Sequence, residues 1–155
     1  MRALVTLGFI LGLLGTTLAG CSTAPRQSDD ETIGARAAQH ALAMQGKPYR
    51  YGGSSPKGFD CSGLVQYSYS RAGARLPRST EGLWDISRSV SQRQLRPGDL
   101  LFFNQEGKRS SHVGLYLGND RFVHAPSTGK RVSVTTLTDP YWRRHFEAAR
   151  RPRLD

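Results

Sequence analysis

Of the chain's two cysteines and four histidines, Cys61, His112 and His124 have the types and spacing that nucleophilic catalysis requires. A thiolate is a strong nucleophile, and an imidazole can take its proton and return it to a leaving group. A second imidazole can hold the first in position, which completes a nucleophile, a base and an orienting group. Two other readings use the same residues. Cys61 can simply pack as a small buried side chain, or one cysteine and two histidines can ligate zinc. The zinc reading lacks a fourth ligand, because neither His40 nor His145 forms a recognisable ligand pair with the others.

These residues can act together only if the elements around them bring them together. Gly52, Gly53, Ser54, Ser55, Pro56 and Gly58 mark a turn-rich stretch that ends in Asp60. Asp60 is a good N-cap, Leu64, Val65, Tyr69 and Ala72 continue on one helical face, and Gly73 suits a C-terminus. A helix should therefore start at or beside Cys61. There the free N–H groups and the macrodipole would favour an anion and lower the thiol's pKa.

His112 opens one apolar run, to Leu117, and His124 lies in the next, Arg121 to Ala125. Gly118-Asn119-Asp120 between them reads as a hairpin turn. With a three-residue loop, position 124 pairs with 114, and His112 becomes its diagonal neighbour on the same face, about 7 Å away along the backbone. A two-residue loop would shift the register by one and put the rings on opposite faces.

Elsewhere, Thr32 to Met44 has helical spacing, a shorter helix follows Ser79, and Arg96-Pro97-Gly98-Asp99 is a turn feeding a strand from Leu100 to Phe103. Arg131 to Leu137 reads as a further strand. Helices first and strands later, with no helical crossover between the last strands, predict an α+β fold with a largely antiparallel sheet.

The 155 residues, 37% of them hydrophobic, suit one compact domain, expected over 32–155. A net charge of +10 favours polyanionic partners unless it only solvates the surface. Met1-Arg2-Ala3, the apolar run Leu4 to Leu14 and the small residues before Cys21 read as a secretory signal over 1–20, too short and too interrupted to span a membrane. Residues 21–31 are polar and read as a tether.

Leu18-Ala19-Gly20-Cys21 resembles the lipobox of bacterial lipoproteins, which implies acyl chains on Cys21. Ser22 after the cysteine favours the outer membrane by resemblance to the Gram-negative sorting rule. Such export removes nucleic acid as a partner and leaves peptidoglycan carboxylates or lipid phosphates for the basic surface. It also leaves Cys61 without a disulfide partner.

Tyr49-Arg50-Tyr51-Gly52-Gly53 and Gly58-Phe59-Asp60-Cys61-Ser62-Gly63-Leu64-Val65 resemble the nucleophile segment of the NlpC family of cell-wall cysteine peptidases. Leu76-Pro77-Arg78-Ser79-Thr80, Leu95 to Phe103, His112 to Gly118, Phe122-Val123-His124-Ala125 and Pro140-Tyr141-Trp142 continue the likeness in order, from about Ala43 to the C-terminus. It is greatest for Gram-negative lipoproteins of the Spr and NlpC type.

The resemblance implies a papain-like fold, Cys61 as nucleophile, His112 as base and His124 as the orienting member. It gives Tyr49 a part in binding the oxyanion, with Asp60 and Ser62 beside the thiol. Tyr51 stands where many relatives carry tryptophan. The implied activity is a murein endopeptidase, without cofactor and monomeric, that cuts stem peptides at a crosslink or at the D-glutamyl to diamino-acid bond. A non-catalytic wall-binding lipoprotein and a Cys/His acyltransferase of the same fold are the alternatives.

Overall fold

The computed structural model describes residues 29–105 and 107–154, so the expected signal, Cys21 and most of the tether lie outside the described residues. Helix α1 spans Asp29–Leu42, beginning before the expected Thr32. It buries Ala37 and Ala41 against the face of α2 (Cys61–Ala72) that carries Leu64, Val65 and Tyr69. A two-stranded ribbon, β1 (Ser54–Ser55) with β2 (Gly58–Phe59), leads into α2, and α3 (Thr80–Asp85) follows it, capped by Ser79.

The sheet comprises β3 (Ser87–Val90), β4 (Leu100–Gln105), β5 (Lys108–Gly118), β6 (Arg121–His124), β7 (Ser133–Thr136) and β8 (Phe146–Pro152). Its order is β3-β8-β4-β5-β6-β7, antiparallel throughout, so the expected α+β class holds. Strand alternation divides the core in two. Leu100, Phe102, Val113, Leu115 and Val123 pack under the helices, and Leu101, Phe103, Tyr116 and Phe122 face the other way. A one-and-a-half-turn helix, α4 (Pro140–His145), covers that second face through Trp142.

Both ends of α2 form as their residues dictate. Asp60, extended at φ −92°, accepts from the Gly63 N–H at 2.7 Å, and Gly73 takes the left-handed conformation at φ 101°. Further along, β8 is pinned where Arg151 grips the buried Asp99 carboxylate through two nitrogens, at 2.7 and 2.8 Å.

Candidate active site

The hairpin between β5 and β6 settles the register. Asn119 and Asp120 both have positive φ, 53° and 57°, which makes the turn itself a two-residue one. Gly118 pairs with Arg121, but the register then shifts between Tyr116 and Gly118, leaving Leu117 as a bulge, and Tyr116 pairs with Phe122 and Leu115 with Val123. The extra residue restores the alternation that a two-residue turn alone would have inverted. His112 and His124 consequently share a face, with His112 Nε2 2.8 Å from His124 Nδ1.

Both imidazoles are buried. Trp142 packs edge-on against His124, ring centres 4.6 Å apart, and lies over His112 at 5.6 Å, while Phe103 and Phe122 close the remaining sides. Burial among these rings pushes His112 down to about 4 and His124 to about 3; the charges of His112 and Lys130 add to the effect at His124. The pair is therefore neutral near pH 7.

Neutrality constrains the tautomers. For His112 to offer Nδ1 as a base, Nε2 must carry the proton and donate it to His124 Nδ1. His124 then carries its own proton on Nε2, 3.5 Å from Ser133 Oγ. Each ring is thus oriented by the next group along the line.

Cys61 approaches from the helix side. Tyr116 donates its N–H to Asp99 across β4, so alternation turns the Val113 N–H toward β6. By then β6 has ended at His124, and the Val113 N–H acts on the Cys61 thiol instead. Cys61 thus lies against β5 at Val113, the residue after His112.

The expected fall in the thiol's pKa does not occur. Burial pushes the Cys61 thiol up, and the Asp60 carboxylate adds to this, outweighing the downward pull of the Val113, Ser62 and Cys61 N–H groups. Burial thus favours the thiol form of Cys61, as it favours the neutral form of His112.

Tyr49 is half-buried and packs against the same core as Cys61. Its phenol pKa is raised by burial first, then by Cys61 and Asp60, so it remains an O–H donor. Asp60 and Ser62 lie beside the thiol, Asp60 acting on it through its charge and Ser62 through its N–H. Asp60 also accepts from the Gly52 N–H at 2.9 Å, and both residues are held by a side chain the sequence did not single out for a role.

Arg78 donates to Ser62 Oγ at 2.8 Å, Asp60 Oδ2 at 2.6 Å and the Gly53 carbonyl at 3.3 Å, tying the loop before Cys61 to the segment before α3. Gly53 and Gly63 make room for this closeness, since a Cβ on Gly63 would overlap the Gly53 carbonyl. Arg78 lies within one of the quoted motifs, but nothing local in the sequence points it at residues 16 and 18 positions earlier.

Among the described residues no three His, Cys, Asp or Glu side chains are grouped to hold a metal, and His112 and His124 turn their nitrogens on each other. No described helix is long and apolar enough to cross a membrane.

The NlpC/P60 family model matches residues 46–151. Murein DD-endopeptidase MepH of Escherichia coli is 43% identical over 122 residues, covering 75% of this chain and 45% of MepH. Murein DD-endopeptidase MepS/Murein LD-carboxypeptidase of the same organism is 45% identical over 108 residues, covering 69% and 56%. The chain thus spans about half the length of both. The Escherichia coli probable endopeptidase NlpC is 41% identical over 142 residues, covering 86% of this chain and 92% of that protein. A Staphylococcus aureus protein described as similar to lipoprotein, NLP/P60 family, superposes with a TM-score of 0.72 at 38% identity, covering 86% of this chain and 45% of that one.

Proposed function

This chain belongs to the NlpC/P60 family, and on that premise we propose that it is a peptidoglycan endopeptidase working through a Cys61–His112–His124 triad. One observation carries the reading: Cys61 opens α2 close enough to β5 for the Val113 backbone to act on its thiol, and the residue before Val113 is a histidine whose Nε2 is engaged by His124 Nδ1 at 2.8 Å. With Nε2 engaged by His124, Nδ1 is the His112 nitrogen left to act as base.

In the proposed reaction Sγ attacks a stem-peptide carbonyl as His112 Nδ1 takes the thiol proton. The carbonyl oxygen becomes an oxyanion, which accepts from the Cys61 N–H and the Tyr49 O–H. His112⁺ then protonates the departing amine, leaving a thioester that water hydrolyses with His112 again as base. Starting from a neutral pair suits this cycle, because charge develops only as the bond forms. His124 acts as a positioning residue, accepting the Nε2 proton throughout.

The names of MepH and MepS support a crosslink as the scissile bond. Purified peptidoglycan incubated with the protein and analysed by mass spectrometry tests this. Loss of dimeric muropeptides with matching monomers is the expected result, truncated stems would move the cut to the D-glutamyl bond, and unchanged muropeptides would refute the activity.

Localisation forms part of the same reading. The Leu18-Ala19-Gly20-Cys21 string behind an apolar run supports lipidation of Cys21 and an outer-membrane anchor facing the periplasm. Cys21→Ala should release the protein from membranes while sparing hydrolysis in solution; a membrane-bound variant would contradict it.

A further inference from the structure

His124 ends β6, and its second ring nitrogen is met from the neighbouring strand. β7 is the outer strand of the sheet, and Ser133 pairs directly with His124 across the ladder. Side chains opposite one another in an antiparallel pair share a face. Val134, the next residue, packs under the helices, which leaves Ser133 on the histidine face. Ser133 Oγ lies 3.5 Å from His124 Nε2, and the residue is half-buried.

The approach to Ser133 is held from both sides. β6 pairs with Ser133–Thr136, and just before them Val132 donates to the Lys47 carbonyl and accepts from the Gly46 N–H, both at 2.8 Å. Two residues earlier the Lys130 carbonyl accepts from the Tyr49 N–H at 2.9 Å. Ser133 therefore has little freedom to leave the imidazole.

Two neutral imidazoles in line can order their protons in two ways. In the productive order His112 Nε2–H donates to His124 Nδ1, and His124 Nε2–H donates onward. In the reverse order His124 Nδ1–H donates to a bare His112 Nε2, and His112 carries its proton on Nδ1, where the proposed mechanism needs a base. The 2.8 Å contact is made in both. What separates them is whether the buried Nε2–H finds an acceptor, because an unpaired N–H inside the fold is costly. Ser133 Oγ can accept it, since a half-buried hydroxyl can turn its own proton to water. The Lys130 charge opposes a further proton on His124 and so leaves Nδ1 an acceptor.

We propose that Ser133 is a positioning residue of the triad: its Oγ accepts the His124 Nε2 proton and thereby holds both imidazoles in the order that leaves His112 Nδ1 basic. Ser133 touches no reacting atom and acts through His124 alone.

This role rests on the triad reading above, and ring-nitrogen NMR tests it without substrate. In the full chain, nitrogen-labelled at histidine and held in detergent near pH 7, His124 should carry its proton on Nε2 with Nδ1 bare. Ser133→Ala should show both tautomers, and its kcat on peptidoglycan should fall about tenfold, the rate equivalent of one hydrogen bond, with KM unchanged. Ser133→Thr, which keeps the hydroxyl on a side chain suited to a strand, should restore both readouts.

A wild-type His124 protonated on Nδ1 would overturn the assignment. So would Ser133→Ala with the wild-type tautomer, whatever its kcat, or Ser133→Thr indistinguishable from Ser133→Ala. Wild-type digestion of peptidoglycan separates the two claims. The expected tautomers without hydrolysis remove the endopeptidase reading alone, and hydrolysis without them removes the role of Ser133 alone.

Discussion

His112 Nε2 lies 2.8 Å from His124 Nδ1, inside an aromatic enclosure that keeps both rings neutral. In the proposed triad His124 thereby fixes which nitrogen of His112 acts as base. His124→Ala should lower kcat by roughly 10²- to 10⁴-fold, the range seen when an orienting partner is lost from a triad, with KM little changed. His124→Asn offers an amide oxygen to the same N–H and should recover part of the loss. Equal kcat for the two variants would contradict an orienting role.

Arg78 holds Asp60 and Ser62 with separate nitrogens, which a lysine ammonium cannot reproduce with the same geometry. Because the Arg78 side chain is 37% exposed, its ion pair is partly screened. Arg78→Lys should therefore cost only about 1 kcal/mol in urea unfolding. Its larger effect should be on kcat, through the loop before Cys61. A variant with unchanged kcat would remove Arg78 from the positioning network.

The buried histidines make stability depend on pH in a defined direction. An ordinary imidazole takes a proton near 6.5, whereas His112 does so only near about 4. Between those values the unfolded chain binds more protons than the folded one, so this stability is complete above pH 6.5 and lost as pH falls toward 4. The loss is on the order of 3 kcal/mol for one such group. Urea midpoints measured from pH 7.5 to 4 should fall across this window, and should flatten when His112 and His124 are both replaced by Asn. A profile identical for the double variant would contradict neutral burial.

The sequence was most informative where one local rule decided the structure. Asp60 and Gly73 bound α2 because an N-cap and a left-handed C-terminus are set by residues within a turn. The shared face of His112 and His124 was also reachable, although the turn has two residues and the expected loop had three. The Leu117 bulge supplies the missing step, and nothing about a leucine in an apolar run distinguishes bulged from paired.

Strand β8 was not legible. Phe146–Pro152 contains Glu, two Ala and two Arg, poor strand formers, and it is extended because β3 and β4 pair with it on both edges. The thiol's shift was misjudged for a similar reason. The N-terminus of α2 was visible in the sequence, but the burial that outweighs its field is set by tertiary packing that no residue next to Cys61 announces.

The central claim is that Cys61 forms a covalent acyl intermediate with a wall peptide. Rapid mixing of the protein with purified stem peptides, acid quenching within a turnover and mass spectrometry of the intact chain test it most directly. The account predicts an adduct of the acyl fragment's mass on the intact chain, lost in Cys61→Ala together with all product. Product formation by Cys61→Ala, or turnover with no adduct at Cys61, would contradict it.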